Sequence, residues 1–255
     1  SERTVRLYLK ELDEEGLTVA FGRKGRKITK AGLAELHSSQ IIQRPGYLSA
    51  KIDRMIYGMN FDLPLRSGTV VVNSSFVDPH QLASCADKIC AVFEKGLGMG
   101  ELMTLVGPGE TIGEMTVPRD KVAFCTVCSI SINGILLKHG VPMSSRFGGL
   151  LRLRDGKAFR FAEMIHYDGT SIDPLEVFIR SGMTDYHGAV KDGNGLIGAS
   201  FREVPAESRN RLKNISQRLK GIGLGAIMEI GLPGQSLLEI PVAYGRVGVI
   251  ISGGM

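Results

Sequence analysis

The stretch that decides the fold is Lys95–Glu114, KGLGMGELMTLVGPGETIGE, because the chain says it again at Lys220–Glu239 as KGIGLGAIMEIGLPGQSLLE. The two starts lie 125 residues apart. At that offset residues 68–130 pair with 193–255, 63 positions of which 14 are identical. The matches cluster: Gly96, Gly98, Gly100, Met103, Pro108, Gly109 and Glu114 return as Gly221, Gly223, Gly225, Met228, Pro233, Gly234 and Glu239. So long a period exceeds that of solenoid repeats and reads as a duplicated module.

Working outward, Ser75-Phe76 and Ser200-Phe201 read as the end of a strand in each copy, each followed by an acid and a proline, Asp78-Pro79 and Glu203 with Pro205, that suit a helix start. The helices bury Leu82, Ile89 and Phe93 in the first copy and Leu212, Ile215 and Leu219 in the second, and the glycines end them. Strands follow around LMTLV and AIMEI, then a Pro-Gly turn, then VAFCTV and VGVII. The first copy continues through SISINGILLKHG into a hairpin, LLRLRDGKAFRF, turning at Asp155-Gly156. An echo of IYGMN (56–60) in IRSGMT (179–184) puts a short helix at the start of each module and the boundary near residue 171.

The first forty residues differ in kind. Ser1 is a good N-cap for a helix carrying Val5, Leu9 and Leu12 on one face; a strand LTVAF, a basic turn GRKGR and a second helix from ITKAGLAEL follow. Helix, hairpin with a cationic tip, helix is the back half of a winged helix. A helix in the major groove reads base edges while wing cations neutralise phosphate. Arg3, Thr4 and Arg6 are expected to face bases, and Arg23, Lys24, Arg26 and Lys27 to face phosphate. The helices that ordinarily precede a recognition helix are missing, so DNA binding is expected of an intact, longer protein. The expected architecture is therefore mixed α/β, with part of a winged helix over 1–40 and two mixed-sheet modules over 41–171 and 172–255.

The chain has 255 residues, a net charge of +5 and four cysteines. Its apolar runs fall short of the roughly 18–20 residues that cross a bilayer. Neither a disulfide framework nor a signal peptide is recognisable, which points to a reducing cytoplasm. The glycine loops do not read as nucleotide cradles, because a dinucleotide fingerprint runs strand, glycines, helix and here the order is helix, glycines, strand. Cys125 and Cys128 raise a metal or redox site, but residues three apart on a strand project to opposite faces, and their counterparts are Ile250 and Gly253. No metal site or cofactor is expected, and the five histidines form no catalytic constellation. Anion-binding material is richer: Ser144, Ser145, Arg146, Arg160, Thr170, Ser171 and Arg202. Arg-to-carboxylate bonds of about 1.5–3 kcal/mol each are strong enough to hold a small dicarboxylate.

The runs FCTVCSISINGILLKHGVPM, RFGGLLRL, YDGTSIDPLEVFI and GASFREVP, joined to the winged-helix remnant, resemble the NrpR family of archaeal nitrogen repressors, and the resemblance covers essentially the whole chain. It implies a homodimeric repressor of nitrogen-assimilation operators, with no enzymatic activity, released from operator DNA when 2-oxoglutarate binds the regulatory modules. Chemistry and position nominate Cys128, Ser129, Arg146, Arg160 and Arg202 as effector contacts. Two other readings stay open: a metal- or redox-sensing repressor using Cys125 and Cys128, and an α/β enzyme.

Overall fold

The computed structural model describes residues 9–10, 12–22, 25–42, 47–113 and 115–254. Near the N-terminus, residues 12–14 are helical, and β1 (Thr18–Ala20) pairs antiparallel with β2 (Arg26–Ile28). Thr29 then accepts from Gly32 N at 3.0 Å, and α1 (Lys30–Ile42) begins. This is the expected hairpin and following helix. Arg3, Thr4, Arg6, Arg23 and Lys24 lie outside the described residues.

From residue 47 the chain builds two sheets. α2 (Tyr47–Gly58) leads into β3 (Val72–Val77), α3 (Pro79–Glu94), β4 (Met103–Val106), the small β5 (Thr111–Ile112) and β6 (Met115–Thr116) pair, and β7 (Val122–Val127). α4 (Ile130–Lys138) then crosses to a long hairpin, β8 (Ser144–Arg154) and β9 (Lys157–His166). Asp155 and Gly156 form its tip with φ of 50° and 72°, the paired left-handed backbone that a two-residue hairpin of this twist demands. α5 (Pro174–Arg180), α6 (Tyr186–Asp192), β10 (Gly195–Pro205), α7 (Arg209–Lys220), β11 (Ile227–Ile230) and β12 (Arg246–Ser252) complete the fold.

The duplication is visible in the strand order. The first sheet runs β3-β7-β4, and the second contains β10-β12-β11, each with the last strand of its module in the middle. The second sheet is extended by β8 and β9, so strands from both sides of residue 171 share one five-stranded sheet, β11-β12-β10-β8-β9. Its two faces are both covered. Val247, Val249 and Ile251 of β12 pack with Leu212, Ile215 and Leu219 of α7 and with Ile132, Ile135 and Leu136 of α4. Ile250 packs the other way, with Phe147, Phe161, Phe201 and Ala189. Phe147 stacks on Phe201 at 5.3 Å and meets Phe161 edge-on at 4.9 Å.

Three expectations need correction. The repeats do not align without a gap. Gly96 and Gly223 both have positive φ after their helices, and Leu97 N and Leu224 N both bond back into the last turn, whereas Thr104 and Glu229 hold the matching places beside Cys125 and Ile250. The offset is thus 127 residues through the helices and 125 from the second strand onward, so LGMGELM in the first copy faces the shorter LGAIM in the second. Next, Ser200-Phe201, Glu203 and Pro205 belong to the body of β10, and a 3-10 turn at Ala206–Ser208 separates that strand from α7. By contrast Asp78 does cap α3, accepting from His80 N and Gln81 N, with Pro79 in its first turn. Finally, Leu82, Ile89 and Phe93 are only half-buried; the fully buried residue of α3 is Val92, packed in the cluster of the five-stranded sheet.

The two glycine turns touch. Glu101 N donates to Gly223 O at 2.9 Å, and a Cβ on Gly100 would lie 2.1 Å from that same oxygen. Ser252 Oγ donates to Gly98 O at 2.8 Å. The repeated glycines therefore serve the close approach of one module to the other, as well as the tight helix-to-strand turn that the order of elements implies.

Candidate functional site

β3 is an outer strand, and its open edge forms one wall of a cleft of about 680 Å³. Opposite stand α5 and the residues before it, and the N-terminal turn of α4 and one face of α2 close the remaining sides. Cys128 N donates to Val71 O and Ser131 Oγ bonds Val71 through both its donor and its acceptor, so the start of α4 is tied to the chain entering β3. Cys128 and Ser129, two of the nominated effector contacts, line this cleft, with Ser74, Ser75, Lys51, Tyr167 and Asp173 around them.

Arg202 lies behind Ser129. Although a guanidinium, it is only 1% exposed, and every partner it has is neutral. Its Nε donates to Ser200 Oγ at 3.1 Å, Nη2 to Ser129 Oγ at 2.6 Å, and Nη1 to Ser129 O at 3.0 Å and to Asn133 Oδ1. No carboxylate is ion-paired to it among the described residues. Burial accordingly pulls its pKa below the ordinary guanidinium value, an effect opposed by the nearby Tyr167, Cys128 and Asp173. The result is a buried positive charge under a helix N-terminus, and both favour an anion at the cleft wall. Because Ser129 Oγ accepts from Arg202, its own proton remains available to donate outward.

Burial also shapes the neighbours. The Cys128 thiol is pushed up to about 11, and the Tyr167 hydroxyl up to about 12. Cys128 is therefore a neutral thiol at physiological pH, packed with Leu48, Ile52, Ile130 and Tyr167. Cys125 faces a different cluster, with Val117 and Ala123. The two sulfurs thus occupy different environments, as the strand periodicity implies. Among the described residues no group of three His, Cys, Asp or Glu side chains could hold a metal ion.

The other nominated cations are not brought to this cleft. Arg146 Nη1 pairs with Glu203 Oε1 at 2.8 Å and also donates to Pro241 O at 2.7 Å. Arg160 is exposed on the outer strand β9, where it pairs in register with Arg152. In the N-terminal hairpin, Arg26 is bound to Asp13 at 2.8 Å, tying β2 to the preceding helical residues, whereas Lys27 stays exposed, 5.5 Å from the Phe21 ring. Sequence reasoning passed over Asn133, Tyr167, Asp173 and Glu203. Two of them left a signal: Asn133 interrupts the apolar run ISINGILL, and Glu203 follows Arg202 in a strand that is otherwise mostly apolar.

Comparison with known proteins agrees with this architecture. Residues 46–255 match the family described as NrpR regulatory domains NRD1 and 2, and residues 1–36 match the ribonuclease R winged-helix domain. Over its full length the chain is 31% identical to the global nitrogen regulator NrpRI of Methanosarcina mazei, spanning 78% of that protein. It is 30% identical to NrpR of Methanococcus maripaludis and 33% identical to NrpR of Methanocaldococcus jannaschii, spanning 44% and 43% of those longer proteins. The crystal structure of a nitrogen repressor-like protein from Methanococcus jannaschii superimposes with a TM-score of 0.67 at 29% identity, over 81% of this chain and 84% of that one. With a family match across both modules and relatives aligned from end to end, the chain belongs to the NrpR family of global nitrogen regulators.

Proposed function

We propose that the chain is the sensing part, with a portion of the DNA-reading part, of a homodimeric cytoplasmic repressor that binds 2-oxoglutarate in the cleft beside α4 and then releases operator DNA. The observation that carries this reading is Arg202: a buried guanidinium with only neutral partners, placed under the α4 N-terminus at the cleft wall. One effector carboxylate sits against Ser129 and the start of α4, where helix dipole and guanidinium act in the same direction. The other extends toward the rim, where Lys51 of α2 is available.

Transmission runs through α2. Its Leu48, Lys51 and Met55 border the cleft, and it is the first described element after α1 and the hairpin. It is held on α4 by a small apolar cluster, with Leu48 and Ile52 against Cys128, Ile130 and Tyr167, so a shift of α2 costs far less than a shift of the main core. Effector binding that favours a displaced α2 alters the spacing of the two recognition helices in the dimer, which no longer fits the half-sites. Coupling of about 1–3 kcal/mol corresponds to a 5- to 150-fold loss of operator affinity.

Calorimetry of the chain with 2-oxoglutarate tests the binding step. Micromolar affinity is expected, reduced about tenfold by Ser129→Ala through loss of one charge-assisted bond, and unchanged by Arg160→Ala. Absence of binding to the parent chain sinks the effector assignment. Anisotropy of operator DNA with the full-length repressor, titrated with 2-oxoglutarate, tests release.

A further inference from the structure

On the other side of α4 lies a second cleft, of about 610 Å³, walled by α2, the residues leading into β8, and the far end of β10. Its two ends carry opposite charge. At one end Glu203, buried, is shared by Arg146 at 2.8 Å and Arg246 at 3.8 Å, so one carboxylate meets two guanidiniums and the group is net positive. Arg246, the guanidinium that lines the cavity, is held in place by a bond from Nη2 to Glu203 O at 3.0 Å. On the α2 wall Asp53 presents an exposed carboxylate that no cation pairs with among the described residues. Between the ends run the apolar Ile52, Ile56 and Met143 and the hydroxyls of Ser144 and Ser145.

We propose that this second cleft binds a free α-amino acid, with its ammonium on Asp53, its carboxylate on Arg246, and its side chain along Ile52, Ile56 and Met143. A zwitterion is the class that satisfies both ends at once. A dicarboxylate meets repulsion at Asp53, and a simple amine leaves the Arg246 end uncompensated. The site is independent of the first cleft in its chemistry but not in its scaffold. Asn133, on its lining, accepts from the same Arg202 that holds Ser129, and α2 borders both cavities. An amino acid here is thus positioned to bias the element through which the first cleft acts.

The test is calorimetry of the whole chain against a panel of free α-amino acids, followed by the N-acetyl and methyl ester derivatives of whichever binds best. Binding by at least one amino acid is expected, weakened about tenfold or more when either charge is blocked. Asp53→Asn, on an exposed helix face where folding is not at risk, should weaken it by a similar factor and leave 2-oxoglutarate binding unchanged. Arg246→Gln should do the same, with circular dichroism reporting whether the variant is folded. The proposal is overturned if no amino acid binds at millimolar concentration, if the blocked derivatives bind as well as the parent, or if Asp53→Asn has no effect. None of these outcomes bears on whether 2-oxoglutarate occupies the first cleft.

Discussion

The two copies of the strand-helix-strand-strand module share a topology and differ in how they are clothed. In the second copy Val247, Val249, Ile250 and Ile251 of β12 are all 0% exposed, and α7 buries Leu212, Ile215 and Leu219. In the first copy Met103 and Leu105 of β4 are 45% and 53% exposed, and α3 buries only Val92. The cause is what each sheet has beside it. β10 is paired along its free edge by β8, and α4 joins α7 over one face, whereas the equivalent edge of β3 faces the effector cleft. One module has become the core of the molecule, and its twin has kept an open side where a ligand can reach backbone and side chains.

That contrast can be tested by substitution. Leu212→Ala, deep in the second copy, should cost about 3–4 kcal/mol by chemical denaturation, and Ile89→Ala on the corresponding helix of the first less than about 1 kcal/mol. Equal costs would erase the distinction between the copies. At their meeting point Gly100→Ala combines left-handed backbone with an overlap against Gly223 O, and should cost about 3 kcal/mol. Gly109→Ala has a similar φ but open space around it and should cost only about 1–2 kcal/mol.

Smaller effects fall on the open copy. The Asp78 carboxyl is held below its ordinary range by the amides of Gln81 and His80. Its contribution is therefore full above the unfolded carboxylate pKa and disappears as pH drops through the lower folded value. Hydrogen exchange in the first turn of α3 should accelerate on acidification, and Asp78→Asn should flatten that dependence. Among the cysteines, Cys85 and Cys90 are exposed on α3 and should be alkylated first at pH 8, with Cys128 protected by burial and a thiol pKa of about 11. Rapid labelling of Cys128 would show that the cleft wall opens in solution.

Much of the architecture was legible in advance because it is encoded locally. The Asp78-Pro79 cap, the Asp155-Gly156 turn and the helix-glycine-strand order each follow from backbone preferences of a few residues. The gap between the copies was not, since glycines align as well at an offset of 125 as at 127, and only hydrogen-bond register separates the two. Glu203 and Pro205 misled for a related reason: in sequence they resemble a helix start, and only the antiparallel partner Arg246 opposite Pro205 keeps the strand going.

The candidate site was less legible still. Cys128, Ser129 and Arg202 are 73 residues or more apart in part, yet hydrogen bonds join Arg202 to Ser129 directly. Arg146 and Arg160 have the same chemistry as Arg202 on paper. Glu203 claims the first and solvent surrounds the second, and neither fact has a local signature.

By itself the sequence determined that this is a duplicated α/β module behind part of a winged helix, because repetition, periodicity and turn chemistry are properties of short stretches. The tertiary structure alone decided which copy is buried, which strand edge stays open and which arginine keeps an uncompensated charge. Burial, pairing and pKa are set by neighbours distant along the chain, and their identity does not exist until the chain has folded.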